Sequence, residues 1–235
     1  MCIGTHMTKS IDALKIEAGK RACEYVKSGM KIGLGTGSTV RHSIIEIGRM
    51  IAEEGLEIIG VPTSIDTEIL ANKYNIPLAE LGDLEGLDLV IDGADEFDPN
   101  LNLIKGGGGA LLREKIVAQS SIEMVVVADQ RKEVDILGEF PLPVEIVPFS
   151  WKETKRQIQK ICKGEIKIRM NEGELFVTDN GNYILDCEFG GTISNPHEIE
   201  RSLQALAGVA ECGLFCGICN HVILATDSGI KVINK

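Results

Sequence analysis

KIGLGTGSTVRHSIIEIGRMIAEEG, Lys31–Gly55, runs from an apolar stretch through a glycine-rich turn into an amphipathic one. KIGLG lacks polar alternation, as a strand covered on both faces does. Beyond the turn, Val40, Ile44, Ile47 and Ile51 fall four, three and four residues apart, the apolar face of a helix that Gly55 ends. The same grammar extends in both directions. IDALKIEAGKRACEYV before it reads as a helix, LEIIGVPT after it as a strand, and SIDTEILANKYN as a helix begun by Ser64 or Asp66. IPLAEL is a short strand, LDLVIDGADE a strongly apolar one and IEMVVVAD another. Helices alternating with such strands specify an α/β fold, a Rossmann-like parallel sheet covered on both faces. Ligands of these sheets bind beyond the carboxyl ends of the strands.

The pattern then changes. FPLPVEIVP is proline-rich, a linker or edge segment, and SWKETKRQIQKI opens a helix with Ser150 and Glu153 at capping-box spacing. IKIRMNEGELFVTDNGNYILDCEF reads as antiparallel strands with a tight hairpin turn at Asn180-Gly181. NPHEIERSLQALAGV is a helix with Asn195 as its cap and Pro196 at its first position. These elements predict a smaller α+β lobe over 143–218, inserted into an α/β domain of 7–142 and 219–235. The last hairpin, HVILATDSGIKVI, returns to the larger domain. Residues 1–6 read as a cloning remnant ahead of a natural start at Met7.

Charge and cysteine usage exclude several roles. With 24 basic against 35 acidic residues, the net charge is −11. Nucleic-acid binding needs a basic footprint, so no nucleic-acid partner is expected. No apolar run reaches the ~18 residues of a membrane span, and no signal-peptide pattern opens the chain. The cysteines are odd in number, at seven, which favours free thiols and a cytoplasmic protein. Cys212, Cys216 and Cys219, with His221 behind them, could ligate zinc, but the apolar residues between them favour packed thiols on a buried strand.

Three motifs carry chemistry. GLGTGSTV, Gly33–Val40, presents helix N–H groups and hydroxyls, which suit a phosphate. It lacks the Gly-Lys-Ser/Thr of a nucleotide loop and the last glycine of the dinucleotide fingerprint. A tight turn with Ser and Thr as caps is the plainer alternative. DGADEFDPN, Asp92–Asn100, sets acids at the end of the most apolar strand. A loop closed by Asx turns, a magnesium site bridging a phosphate, and acids exchanging hydroxyl protons all fit it. Calcium does not, because Ala94 takes the third ligand position.

IKGGGGALLREKIVA, Ile104–Ala118, places four glycines between a lysine and a helix. Bare N–H groups beside Lys105 form a nest for an oxyanion; a hinge is the less persuasive reading. Glu114 falls among Leu111, Val117 and Ala118 on the helical wheel, and partial burial would raise its pKa and make it a better base. Lys115 has similar neighbours, so a solvated Arg113-Glu114-Lys115 run remains open. VADQRKEVDIL adds Lys132 at a further strand end, and Lys15 is another candidate phosphate partner.

Together, GLGTGSTV, DGADE, IKGGGGALLREK, VVVADQRKEVDILGEFPLPVEIVP and FVTDNGNYILDCEF resemble the ribose-5-phosphate isomerase type A family, in order and spacing from about Met7 onward. The resemblance implies a Rossmann-like α/β domain with an inserted ferredoxin-like lobe. It implies interconversion of D-ribose 5-phosphate and D-ribulose 5-phosphate in the non-oxidative pentose phosphate pathway, with no metal or organic cofactor. Glu114 would be the base of a cis-enediolate mechanism, and Asp92, Asp95 and Lys105 would assist ring opening and hydroxyl proton transfer. Lys105 and the N–H groups of Gly106, Gly107, Gly108 and Gly109 would stabilise the enediolate. Thr36, Gly37, Ser38 and Thr39, with Lys15 and Lys132, would hold the phosphate, and Gly93 and Ala94 would join the acids at the sugar. A homodimer or homotetramer is implied.

The sequence departs from relatives at Asn220-His221, where they tend to carry Ala-Asp, and packing or an interface is the reading for His221. A sugar-phosphate isomerase or deaminase with another substrate, such as an amino sugar phosphate, and a sensor domain are the competing readings. Retention of Glu114, and the lack of a basic DNA-reading element, weigh against the sensor.

Overall fold

The computed structural model describes residues 9–235, so the reading of residues 1–6 and Met7 lies outside the described residues. The chain begins with α1 (Ile11–Ala22), β1 (Lys31–Leu34), α2 (Val40–Glu54), β2 (Ile59–Pro62), α3 (Ile65–Lys73) and β3 (Leu87–Gly93). Short strands β4 (Glu96–Phe97) and β5 (Leu103–Ile104) precede α4 (Leu111–Gln119) and β6 (Ser121–Asp129). Next come β7 (Leu142–Ile146), α5 (Trp151–Ile158), β8 (Ile166–Ile168), β9 (Met170–Asn171), β10 (Glu174–Leu175) and β11 (Tyr183–Cys187). The chain closes with α6 (Pro196–Gln204), β12 (Val209–Cys212), β13 (Leu214–Phe215), β14 (His221–Thr226) and β15 (Gly229–Asn234).

The main sheet has six strands in the order β15-β14-β6-β3-β1-β2, parallel except for β15. Its interior strands explain the missing polar alternation. Leu89, Ile91, Val125 and Val127 pack on one face with Leu14, Ala18, Ile44 and Ile47 of α1 and α2. Val90, Met124 and Val126 pack on the other with Val117, Leu103 and Phe215. Each such side chain contributes about 1.5–3 kcal/mol on burial, so both layers are held by the apolar effect.

Helix ends follow local chemistry. Ser10 and Ser64 accept from the N–H groups of Ala13 and Thr67, capping α1 and α3. Gly55, at φ 69°, ends α2 in the left-handed conformation that glycine takes without strain.

The second unit is β7-α5-β8-β11-α6-β12, with its four strands ordered β12-β7-β11-β8. That is the ferredoxin-like arrangement, and it encloses its own core of Leu142, Val144, Leu185, Ile158 and Leu203. Four local expectations differ. FPLPVEIVP is neither linker nor edge, since β7 lies between β12 and β11 and is buried throughout. Ser150 adopts φ 49° and makes no side-chain cap to α5, so the capping box does not form. Asn195 turns its amide to Glu198 and does not cap α6. The Asn180-Gly181 turn exists, but β10 pairs with β9, and β11 pairs with β7 and β8, so it joins no hairpin.

The loop around that turn has another use. Buried Glu145 accepts from Thr178, Asn180 and Asn182, which folds the TDNGN segment onto β7. Asp179 then accepts from the N–H of Ile65 at the start of α3, and Asn180 from Arg113 of α4. The small lobe is thereby tied to two helices of the large domain.

Candidate active site

The loops after β1, β3, β5 and β6 enclose a cavity of about 120 Å³. Thr36, Gly37, Ser38 and Thr39 form one wall, and Gly93, Ala94 and Asp95 a second. Lys105, Gly106, Gly107, Gly108 and Glu114 form a third, while Lys15, Lys132 and Arg131 reach in from α1 and the end of β6. The sequence-derived set therefore converges, with two exceptions. Asp92 lies behind Lys105, fully buried, and Gly109 faces away from the cavity.

Lys105 is the hub. Its ammonium donates to the Gly93 carbonyl at 2.6 Å and lies 3.1 Å from both Asp92 Oδ2 and Glu114 Oε1. Asp92 Oδ1 accepts from the N–H groups of Thr36 at 3.0 Å and Gly93 at 2.7 Å. A side chain at Gly35 would press its Cβ to 2.2 Å from that oxygen, so glycine is what lets β1 close over Asp92. Asp92 Oδ1 thus holds the loops, while Oδ2 faces the lysine as an ion pair and accepts no hydrogen bond among the described residues.

Glu114 is also buried, and neither Lys115 nor Glu114 belongs to a solvated charge run. Its Oε2 has no hydrogen-bond partner among the described residues. Burial pushes the Glu114 carboxyl up, to about 8, and the Asp92 charge adds to the rise against the opposing pull of Lys105. Burial alone would lower the Lys105 pKa, but Asp92 and Glu114 outweigh it and raise it, so the lysine is a fixed cation.

The glycine loop is partly committed. Gly107 N–H donates to Asp95 Oδ2 at 2.7 Å, and Gly109 N–H to the Gly106 carbonyl at 2.9 Å. The expected four-N–H cradle is therefore smaller, because two of its donors are already engaged. At the opposite end, Lys15 Nζ donates to Ser38 Oγ at 2.9 Å, beside the N-terminus of α2. Thr39 makes no side-chain cap there, which leaves the helix start open to an anion. The Thr36 hydroxyl points elsewhere, into a cluster with Thr63, Ser64 and Thr67.

A cation and a carboxyl of raised pKa at one end, and an anion-ready helix start at the other, suit a small phosphorylated substrate. The family model for ribose 5-phosphate isomerase A (phosphoriboisomerase A) matches residues 59–229. The ribose-5-phosphate isomerase A of Bacillus mycoides is 51% identical over 219 residues, spanning 93% of this chain and 98% of that protein. The chain belongs to the ribose 5-phosphate isomerase A family. The enzyme structure of that name from Methanocaldococcus jannaschii superposes with a TM-score of 0.91 at 41% identity, covering 96% of this chain and 100% of that one. A D-ribose-5-phosphate isomerase in complex with phospho-erythronic acid superposes at 0.93 with 38% identity, over 97% and 100% of the two chains.

For a ribose 5-phosphate isomerase A fold, the convergent cavity is the better candidate than a larger groove of about 580 Å³ between β2 and α4. That groove is lined by Val61, Leu78, Ile116 and Val117 together with Glu68, Glu80 and Arg113, and the buried Asp92-Lys105-Glu114 cluster lies outside its lining. The candidate zinc set does not assemble either. Cys219 donates to the His221 carbonyl, and the His221 ring pairs with Glu123 and Asn234. Cys216 instead approaches His197 and Glu200, the one group of three metal-ligating side chains found among the described residues. Lys115 Nζ lies 2.9 Å from Glu200, so that carboxylate is already engaged by an ammonium.

Sequence reasoning missed several residues that shape the site. Arg131 lines the cavity while its guanidinium pairs with Asp129. Arg169 and Phe176, from the small lobe, press on the glycine loop. Arg169 lies outside every quoted motif, whereas Phe176 opens FVTDNGNYILDCEF, the one signal that could have found it.

Proposed function

We propose that this chain interconverts D-ribose 5-phosphate and D-ribulose 5-phosphate by proton transfer between C2 and C1 through a cis-enediolate. The observation that carries the proposal is Glu114: a sealed carboxyl with an unpartnered oxygen, 3.1 Å from the Lys105 ammonium, on the wall of the cavity. Glu114 takes the proton from one carbon and returns it to the other. A carbon-bound proton is weakly acidic, so charge developing on the sugar oxygens needs stabilisation, and Lys105 provides it without reorganisation. Asp95, exposed to the cavity, exchanges the hydroxyl proton. Asp92 is a positioning group that holds Lys105 and the loops after β1 and β3. Gly93, Ala94 and the glycine loop fit around the sugar, and Lys15, Ser38, Thr39 and Lys132 bind its phosphate, which orients the reacting carbons.

The relative solved with phospho-erythronic acid supports this reading. A phosphorylated four-carbon sugar acid offers a planar carboxylate with the charge and shape of an enediolate, and it keeps the phosphate. The test is incubation of D-ribose 5-phosphate with the protein and a chelator, followed by NMR. Appearance of ribulose 5-phosphate is the expected result. Binding without turnover would replace the proposal with a sensor, and ammonia release from glucosamine 6-phosphate would replace it with a deaminase.

The proposal extends to organisation. We place the catalytic unit at 7–142 and 219–235 in the cytoplasm, and give the 143–218 lobe the assembly of a homodimer or homotetramer. Exposed Val147, Phe149, Met170, Leu175 and Val177 all lie in that lobe, which supports an apolar contact there. Sedimentation of the parent against Phe149→Glu tests it, with dissociation expected.

A further inference from the structure

Arg169 stands in the small lobe, between β8 and β9, yet its side chain ends on the glycine loop of the large domain. Its own backbone is fixed: the Arg169 N–H donates to the Ile184 carbonyl at 2.8 Å, and its carbonyl accepts from Phe176 at 3.0 Å. Nε donates to Asp186 Oδ2 at 2.9 Å, with Nη2 completing a fork on the same carboxylate. Nη1 is left to donate to the carbonyls of Gly106 at 2.9 Å and Gly107 at 3.2 Å. No lysine could reproduce this, since a point-like ammonium cannot fork on a carboxylate and cap a carbonyl in fixed directions.

The geometry places one peptide unit under tension-free control from both ends. The carbonyl of Gly106 accepts from Arg169, and the N–H of Gly107 in the same peptide plane donates to Asp95 Oδ2 at 2.7 Å. Phe176 closes the loop from outside: a Cβ on Gly109 would meet its ring at 2.4 Å, and the Arg169 guanidinium lies 5.8 Å from that ring's centre. Gly106 and Gly109 adopt φ of 102° and 81°, conformations open to glycine but unable to hold themselves in place.

We propose that Arg169 is a positioning residue for the isomerisation: oriented by Asp186, it fixes the Gly106–Gly107 peptide and, through it, aims Asp95 at the sugar. The inference rests on the isomerase reading of the same cavity. Because Arg169 touches neither the phosphate end nor Glu114, its loss should act on the chemical step far more than on substrate affinity.

Steady-state kinetics with D-ribose 5-phosphate and thermal unfolding of the parent, Arg169→Gln, Arg169→Lys and Asp186→Asn test it. A kcat loss of about 30- to 100-fold in Arg169→Gln, with KM changed less than about 3-fold, is expected from a misplaced loop. Arg169→Lys and Asp186→Asn should show the same split at smaller amplitude. If Arg169→Gln does not fold, those two variants carry the same comparison. Unchanged kcat in a folded variant, or losses confined to Tm and KM, would overturn the proposal. An inactive parent would instead overturn the isomerase reading.

Discussion

Lys105 Nζ sits 3.1 Å from Glu114 Oε1, with both side chains sealed from solvent and Asp92 behind them. Two carboxyls share one ammonium, so one carboxyl is left without full compensation. Asp92 has two backbone N–H donors in addition. Among the described residues Glu114 has no donor beyond Lys105, and burial, with the Asp92 charge beside it, raises its carboxyl.

A base must be deprotonated to act, and the Glu114 carboxyl is held up at about 8 in the free protein. The kcat/KM for ribose 5-phosphate should therefore climb through a midpoint near that value. A profile flat from pH 6 to 9 would contradict the assignment.

Stability should move the other way. A carboxyl whose folded pKa exceeds its unfolded value contributes stability below the unfolded pKa, and that contribution is lost as pH rises through the folded one. For Glu114 the window runs from the ordinary 4.5 to about 8. Glu114→Gln removes the titration, so its Tm should gain on the parent between pH 5 and 9, by on the order of 5 °C. A constant Tm difference across that range would count against a buried, titrating Glu114.

Lys115 separates structure from catalysis one residue along the chain. Its ammonium is buried, 2.9 Å from Glu200 and 2.8 Å from Glu211. Lys115→Met leaves two mostly buried carboxylates unpaired and should cost about 3–5 kcal/mol. Denaturant titration would measure the loss, while the folded fraction keeps its kcat.

Gly108 and Gly109 should respond differently to the same methyl group. At Gly109 the Cβ would strike Phe176 at 2.4 Å and the backbone is left-handed; at Gly108 its nearest neighbour is the Thr36 methyl at 3.7 Å. Gly109→Ala should lose about 2–3 kcal/mol in unfolding experiments, and Gly108→Ala less than about 1.

The layered sheet was legible because the middle of a strand covered on both faces must be apolar, as Leu89, Val90 and Ile91 of β3 are. Lys105 and Glu114 were legible because their motif is compact and brackets a glycine run. What stayed hidden depends on distant partners. Nothing near Lys115 announces that Glu200 and Glu211 will meet it, so its burial could not be separated from a surface run. Arg169 reaches the glycine loop across more than sixty residues of chain. Asp92 was placed at the right strand end, but the inward turn of its side chain depends on Gly35 allowing β1 to close over it.

Whether Glu114 moves the proton is read out by NMR of ribose 5-phosphate in heavy water with the parent and with Glu114→Gln. The parent should form ribulose 5-phosphate carrying deuterium at C1 to the extent that the base exchanges with solvent, and the variant should show a kcat about 10²–10⁴-fold lower. Formation of the ketose by Glu114→Gln at the parental rate would contradict it.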